Sequence, residues 1–540
     1  MRSYSPYESL TELMEIRAQK RADDLAVDVC GERRTYGELW LAGGRSQAWF
    51  AGRGVAPGGH VALMMRNRIE FLEAFLGLSR LGAVAVPVNT STVGEALHYT
   101  LNHSGSVGIV IDAGLLSALD ELEAIGPLPH LKWVVVVNDE EAPGAARGGA
   151  IGWAEVQDPG VREPAPVRVD AADTLGIIYT SGTTGPPKGV MLSHTSYVNT
   201  GGYFAKHLGL GLDDVLHTCL PLFHCNAQQT TLMAGLHLGV PVHVDGKFSL
   251  SRFWSWIERS EATVTNLLGT MLTLLSKLPE DQEVGIERLR YILGAPVPEE
   301  LHRPLERRWG VKIIEGYGLT ESGTMGIINP IADTRSGTIG LPMEHSEAKI
   351  VDAHDNEVSD GTPGEILMRS RIEGAFMTGY LNEPEKTEEA LRGGWFHTGD
   401  LGKRREDGYF VFLDRMKDTI RRRGENISSY FVEKAVSDHP DVMDSAAVGV
   451  PSDLSEEDVK IYVLRRPGTD LSELELSTWL ETRLSDFMRP RYIEFVDDFP
   501  RTETGRVHKY ILRNGGVGAA WDRDADAAAA RAERAEASHG

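Results

Sequence analysis

Apolar and polar positions follow two rhythms along this chain. Short runs rich in β-branched residues recur at residues 61–64, 84–88, 107–111 and 133–137. Between the first two, residues 70–81 (Glu-Phe-Leu-Glu-Ala-Phe-Leu-Gly-Leu-Ser-Arg-Leu) set apolar side chains three and four apart, the spacing of a helix that covers a sheet. Strand, helix, strand in that order predicts parallel-rich sheets packed by helices. No period of 20–50 residues stands out, which argues against a solenoid or a propeller. Residues 138–169 are rich in Gly, Pro, Ala and acids and read as a surface excursion. The character changes after about residue 413, where Arg415-Met-Lys-Asp-Thr-Ile-Arg-Arg-Arg-Gly424 is strongly basic. Beyond it the pattern predicts a helix over 429–437, strands over 446–450 and 460–464, a helix over 472–485 and a strand over 492–496. The expected fold is α/β, in two parts. A large N-terminal domain of several subdomains spans 1–414, and a small mobile α+β domain spans 415–513. Residues 514–540, Ala-rich and poor in large apolar side chains, read as a disordered tail.

Charge narrows the partners. With 55 Lys and Arg against 78 Asp and Glu, the 540-residue chain carries −23. That balance argues against nucleic acid or an anionic membrane as the main partner, because phosphate backbones and lipid headgroups need clustered cations. A small phosphorylated ligand is still compatible, since local dipoles and a few charges hold it. No run of about 18 apolar residues suggests a membrane span, and the first residues lack the greasy core of a signal peptide. The three cysteines, Cys30, Cys219 and Cys225, are too few for a disulfide framework and suit a reducing compartment, so a cytoplasmic protein is expected. Cys219 and Cys225 lie near His217 and His224, but their spacing matches no zinc pattern.

The most informative run is Tyr179-Thr-Ser-Gly-Thr-Thr-Gly-Pro-Pro-Lys-Gly-Val190, which follows a strand-like Leu-Gly-Ile-Ile. Three glycines and four Ser or Thr hydroxyls in twelve residues make a loop able to wrap backbone N–H groups around an anion. Lys188 adds a point charge for phosphate. The run is not a Walker A loop, since no Gly-Lys-Ser/Thr follows Gly182 at the required distance.

This run resembles the phosphate loop of the adenylate-forming enzymes, the superfamily of acyl-CoA synthetases, peptide-synthetase adenylation domains and luciferases. Further segments resemble that family in its own order over about residues 10–513. Pro221-Leu-Phe-His224 resembles the segment whose His lines the acyl pocket. Gly294-Ala295-Pro296 and Glu315-Gly316-Tyr317-Gly318-Leu-Thr320-Glu321 resemble the adenine and phosphate–magnesium segments. Trp395-Phe-His-Thr-Gly-Asp400 resembles the ribose segment, and residues 409–418 resemble the interdomain hinge. The resemblance implies that a carboxylic acid is joined to ATP, with release of pyrophosphate, and that the acyl-adenylate is passed to CoA. It implies that Thr180, Ser181, Gly182, Thr183, Thr184, Gly185 and Lys188 hold the β- and γ-phosphates. Thr320 would meet the α-phosphate, and Glu321 the Mg2+ that bridges phosphate oxygens. Tyr317 would offer its ring to adenine, and Asp400 and Arg415 would hold the ribose. His224 would line the acid pocket. Lys417 would be the pivot about which the small domain turns between half-reactions. Gly424-Glu-Asn-Ile427 would line the channel for the pantetheine arm of CoA. A homodimer is compatible with all of this.

One position departs from the family pattern. Pro500-Arg-Thr-Glu-Thr-Gly-Arg506-Val-His-Lys509 places Arg506 where the family carries the lysine that bridges carboxylate and α-phosphate. A planar guanidinium does not replace a compact ammonium conservatively. Either Arg506 serves, or Lys509 takes over on a shifted final strand, or the first half-reaction is altered. The segments around Pro221, Asn266 and Gly424 most resemble carnitine/crotonobetaine-type bacterial acyl-CoA ligases. Asn226, Gln228 and Asn266 near an apolar pocket hint at an acid with a polar group. An adenylate former with another acceptor (a carrier protein, an amine, or nitrite activation for diazotisation) is the alternative. A nucleotide binder without turnover is a third reading. Gly43-Gly-Arg-Ser46 mimics a phosphopantetheine attachment signature but falls inside a predicted helix.

Overall fold

The computed structural model describes residues 5–137, 150–180, 186–415, 419–454, 456–500, 507 and 509–528. These fall into two compact units. The first comprises residues 5–90, 100–137, 150–180 and 188–415, and the second residues 91–99, 186–187 and those described from 419 onward.

In the first unit, the strands Leu216–Thr218, Val242–Val244, Val264–Leu267, Tyr291–Gly294 and Lys312–Tyr317 run parallel in one sheet, joined by Leu25–Val29. The antiparallel strands Glu32–Thr35, Ile327–Ile328 and Leu341–Pro342 complete its edges. A second sheet is parallel through Val84–Pro87, His60–Met64, Gly108–Asp112 and Trp133–Val137. Thr174–Thr180 and Lys188–Ser193 form its hairpin, and Gly379–Tyr380 pairs on the outside. A third, antiparallel sheet holds Ser346–Val351, Gly364–Ser370, Phe396–Arg404 and Phe410–Arg415. The architecture is therefore mixed α/β, with parallel-rich sheets packed by helices.

The helices show why this order works. Ile69–Leu81 is buried along its whole length, as a helix pressed between layers must be. It packs on Tyr36–Gly52, which opens on a capping box between Thr35 and Glu38. The contact depends on small residues. A Cβ on Gly43 would lie 2.7 Å from Leu76 Cγ, and one on Gly77 would lie 2.4 Å from Ser46 Cβ. The Gly-Gly-Arg-Ser stretch is thus helix-packing surface.

Part of the expected surface excursion is built in. Ile151–Gly152 pairs with Trp133–Val137, and a helical turn, Trp153–Val156, follows it. Trp153 is buried and donates its indole N–H to Glu73 at 3.3 Å, while Trp49 donates to Glu155 at 3.1 Å. Composition hid this, because three apolar side chains among glycines and acids suffice when a sheet edge waits for them.

In the second unit, Val442–Pro451 and Glu457–Arg465 form a hairpin, with Tyr492–Val496 parallel to the latter. Helices Ser429–Ser437 and Glu473–Glu481 belong with it, the second started by a Ser472–Glu475 capping box. The predicted tail needs correction up to residue 528. Trp521–Asp522 adds a strand to Tyr492–Val496. Lys460, buried to 1% side-chain exposure, donates to the carbonyls of Gly516 at 2.8 Å and Val517 at 2.9 Å. A buried ammonium needs such acceptors, and that need holds the segment in place. Residues 529–540 lie outside the described residues. Among the described residues no helix is long and apolar enough to cross a membrane.

Candidate active site

The carboxyl ends of parallel strands are where open α/β sheets gather ligands, and the first unit follows that rule. Leu267, Gly294 and Glu315 are neighbours in register at the ends of three adjacent strands. Glu315 is buried, and its Oε1 accepts from the Val297 N–H at 3.1 Å. Burial pushes its carboxyl up to about 8, so it carries a proton at neutral pH. Two residues on, the buried Tyr317 donates its hydroxyl to Asp400 Oδ2 at 2.6 Å. Asp400, also buried, lies on Phe396–Arg404 opposite Arg415 in register, so this bond ties the parallel sheet to the antiparallel one. The chain then turns sharply at Gly318, where an added Cβ would lie 1.5 Å from the Thr324 carbonyl oxygen. Only glycine fits there.

The turn delivers Thr320 and Glu321. Thr320 Oγ1 lies 3.6 Å from Cys225 Sγ. Glu321 is buried and accepts the Tyr380 hydroxyl at 3.0 Å, while Met377 N–H donates to its backbone carbonyl at 2.8 Å. Tyr380 sits on the short strand that pairs with Val190, two residues past Lys188. The Lys188 ammonium stands over the Tyr380 ring, 4.1 Å from its centroid. One aromatic side chain thus holds a cation on its face and a carboxylate on its hydroxyl. Burial and the Glu321 charge push the phenol far above its ordinary value, so it remains a donor. Thr180 faces Lys188 across the hairpin, at the mouth of the Gly/Ser/Thr run.

His224 belongs to the turn after Leu216–Thr218 and packs against Phe223, ring centroids 4.8 Å apart. This turn is fixed by a residue that sequence reading missed. Buried Asn67 donates to the carbonyls of Leu220 at 3.0 Å and Asp245 at 2.7 Å, and accepts from Leu222 N–H at 2.8 Å. It brackets Pro221 and joins the ends of strands from both parallel-rich sheets. The one signal in the sequence was its place just after the apolar strand His60–Met64. His194 is buried and accepts the Leu10 N–H at 3.3 Å, a packing role. Cys219 is buried, and His217 bonds Thr265 at 2.8 Å.

The structure brings together Lys188, Glu321 and Thr320 around Tyr380 and Cys225, and it joins Tyr317 to Asp400. Gly294, Ala295, Pro296, Glu315 and Gly316 line the adjoining strand ends. Ser181, Gly182, Thr183, Thr184, Gly185, Lys417 and Arg506 lie outside the described residues. Lys509 is not on a final strand. It opens the helix Lys509–Asn514, and its ammonium meets Glu433 at 2.6 Å and Ser429 Oγ at 2.8 Å.

A divalent cation fits the donor set. The Tyr380 hydroxyl donates to one oxygen of the Glu321 carboxylate, Oε1. No group of three His, Cys, Asp or Glu side chains gathers as a ligand cage among the described residues. A hard cation held by one carboxylate, phosphate oxygens and water is the arrangement Mg2+ favours.

The comparisons identify this α/β chain as a nucleotide-binding enzyme. The AMP-binding enzyme family matches residues 14–381, and the AMP-binding enzyme C-terminal domain matches residues 432–506. The chain belongs to the AMP-binding enzyme family, in its acyl-CoA synthetase branch. A crotonobetaine/carnitine–CoA ligase of Salmonella arizonae is 31% identical over 477 residues, covering 87% of this chain and 91% of the relative. Among solved structures, a double mutant of o-succinylbenzoate CoA synthetase from Bacillus subtilis is 26% identical, with a TM-score of 0.81, covering 93% of this chain and 98% of that one. An amide bond synthetase from Marinactinospora thermotolerans is also 26% identical, with a TM-score of 0.81 and coverage of 93% and 99%.

Proposed function

We propose that this enzyme activates a carboxylic acid with ATP and passes the acyl group to CoA. A carboxylate oxygen attacks the α-phosphorus, pyrophosphate leaves, and an acyl-adenylate forms. The CoA thiolate then attacks the acyl carbon and AMP leaves. The observation that carries this reading is the Tyr380 junction, where a lysine ammonium and a buried carboxylate are held on one ring beside the phosphate loop. Two anions must meet in the first step, so fixed positive charge has to offset their repulsion. Lys188 supplies part of it at the β- and γ-phosphates, with Thr180, Ser181, Thr183 and Thr184 and the loop N–H groups around Gly182 and Gly185. Mg2+, when bound at Glu321, supplies further charge to the phosphate oxygens. Thr320 faces the α-phosphate, Asp400 accepts from the ribose hydroxyls with Arg415 beside it, and Tyr317 and the turn at Gly294-Ala295-Pro296 border the adenine. The Asp400–Tyr317 bond favours that assignment, because it fixes both the acceptor and the ring. Arg506 bridges carboxylate and α-phosphate. This assignment is supported by the engagement of Lys509 with Glu433 and Ser429. Lys417 is the pivot between half-reactions, and the compartment is the cytoplasm, where ATP and CoA are supplied.

ATP–pyrophosphate exchange over a panel of acids, followed by thioester detection with CoA, tests the proposal. Acid-dependent exchange and a thioester are expected. Exchange with transfer to an amine but not to CoA would favour a second reading, an amide-forming ligase, which the Arg506 departure and the likeness to an amide bond synthetase support.

A further inference from the structure

The segment that follows Cys225, the residue in contact with Thr320, carries amides and hydroxyls that the proposed phosphate chemistry leaves unused. The segment Asn226–Leu232 winds as a π-helix, a geometry frequent at functional sites. Its sequence, Asn-Ala-Gln-Gln-Thr-Thr-Leu, has five polar side chains in seven residues. Two of them are taken up by neighbours. Gln228 accepts from the Tyr197 hydroxyl at 2.7 Å and donates to the Leu222 carbonyl at 2.5 Å, and Gln229 donates to Ser196 Oγ at 3.2 Å. Asn266, 2% exposed at the end of Val264–Leu267, uses both its amide hydrogens. One goes to Asn226 Oδ1 at 2.8 Å and the other to Thr231 Oγ1 at 2.9 Å.

This bonding orients Asn226. Its oxygen is turned to Asn266, which leaves its own N–H groups to face outward from a half-exposed position. The preceding residue, Cys225, is the one that touches Thr320. Consecutive Cα atoms are about 3.8 Å apart, so Asn226 stands one residue from the contact with Thr320. A second observation points the same way. Gln229 Oε1, Thr230 Oγ1 and Thr270 Oγ1 are buried without a hydrogen-bond partner among the described residues. Buried polar atoms left unmet are costly unless water or a ligand meets them. The set is all amide and hydroxyl, so it matches a neutral polar group rather than a second charge.

We propose that the acid activated here is a polar one, with a hydroxyl or carbonyl oxygen a few bonds from its carboxylate that accepts a hydrogen bond from Asn226. This rests on the acid-activation reading above and names the substrate class for that site. A site built to hydrogen-bond a substrate group discriminates strongly against the analogue that lacks it.

The test is exchange kinetics on matched acids: butanoate with 3-hydroxybutanoate, pentanoate with 4-oxopentanoate, and benzoate with hydroxybenzoates. Wild type should favour the polar member of at least one pair by roughly 10–100-fold in kcat/KM. Asn226→Leu should bring that ratio toward one with the KM for ATP unchanged. The isosteric Asn226→Asp, which cannot donate, should do the same and guards against misfolding. A ratio near one in wild type, or a ratio unmoved in both variants, overturns the proposal. Absence of exchange with every acid in the panel is a different failure, since it overturns acid activation itself and this inference with it.

Discussion

Single side chains carry most of the adenylation chemistry, and the Tyr380 junction shows how they are coupled. In the proposed mechanism Lys188 serves the pyrophosphate part of ATP, which AMP lacks. Lys188→Ala should therefore lower ATP–pyrophosphate exchange by about 10²-fold, the range for losing one preorganised transition-state contact, while AMP affinity measured by calorimetry changes little. Equal losses in both would place Lys188 elsewhere. Tyr380→Phe keeps the ring beneath Lys188 but removes the hydroxyl bonded to Glu321. It should raise the Mg2+ concentration needed for half-maximal exchange several-fold, because the carboxylate is no longer oriented. Lys188 was singled out in the sequence by the Gly/Ser/Thr run that precedes it, and Glu321 by the resemblance of residues 315–321 to the family's segment. Tyr380 was not, since a lone Tyr after Gly379 reads as core and its Glu321 partner is 59 residues away. Asn67 escaped for the same reason, with partners 153 and 178 residues away. Such residues are chosen by tertiary proximity, which no local pattern records.

At the level of elements, periodicity placed the strands and helices it named, and two of the elements it missed share one cause. Ser429–Ser437 and Tyr492–Val496 stand where the pattern put them, because each buries a stripe of its own side chains. Ile151–Gly152 and Trp521–Asp522 are two residues long, too short for any alternation, and exist because a neighbouring strand offers its edge. The segment after Arg506 failed differently. It starts a helix where a strand was expected, and the bond between Lys509 and Glu433 fastens that helix to Ser429–Ser437. Glu433 Oε1 also accepts the Ala447 N–H at 2.8 Å, so the ion pair is part of a small network. Lys509→Ala should therefore destabilise the small unit by about 1.5–3 kcal/mol, the range for losing hydrogen bonds to a charged group, and leave exchange nearly intact. Arg506→Ala should depress exchange by roughly 10²–10³-fold and spare thioester formation from a preformed acyl-adenylate. Single-turnover measurement of each half-reaction decides between them, and the reverse ranking would mean that Lys509 supplies the bridging cation.

Over the whole molecule, stability depends on ionisable groups that burial holds neutral, and these act in opposite directions. Burial lowers His194 and His237 to about 4, with Arg17 beside His237 adding to the effect, and burial lowers His345 to about 3. Once unfolded, these rings titrate near 6.5, so between that pH and their folded values the unfolded chain binds more protons. Their contribution is therefore complete above about pH 6.5 and declines as pH falls toward 4. Glu315 behaves oppositely. Burial raises it to about 8 from an ordinary value of 4.5. The folded state then keeps a proton that the unfolded chain has lost, so its contribution is complete below about pH 4.5 and declines as pH rises to 8. All four residues lie in the larger unit, so the relevant measurement is that unit's own thermal transition, since a chain of two units has no single melting point. Glu315→Gln keeps an acceptor for the Val297 N–H and removes the titration. Its midpoint relative to wild type should rise by several degrees between pH 5 and pH 8. His194→Asn keeps an acceptor for the Leu10 N–H, and its midpoint relative to wild type should rise as pH falls from 6.5 to 4.5. The two difference curves must slope in opposite senses where they overlap. Slopes of the same sign, or a flat curve for either variant, would mean that the named carboxyl or imidazole is not the group that titrates.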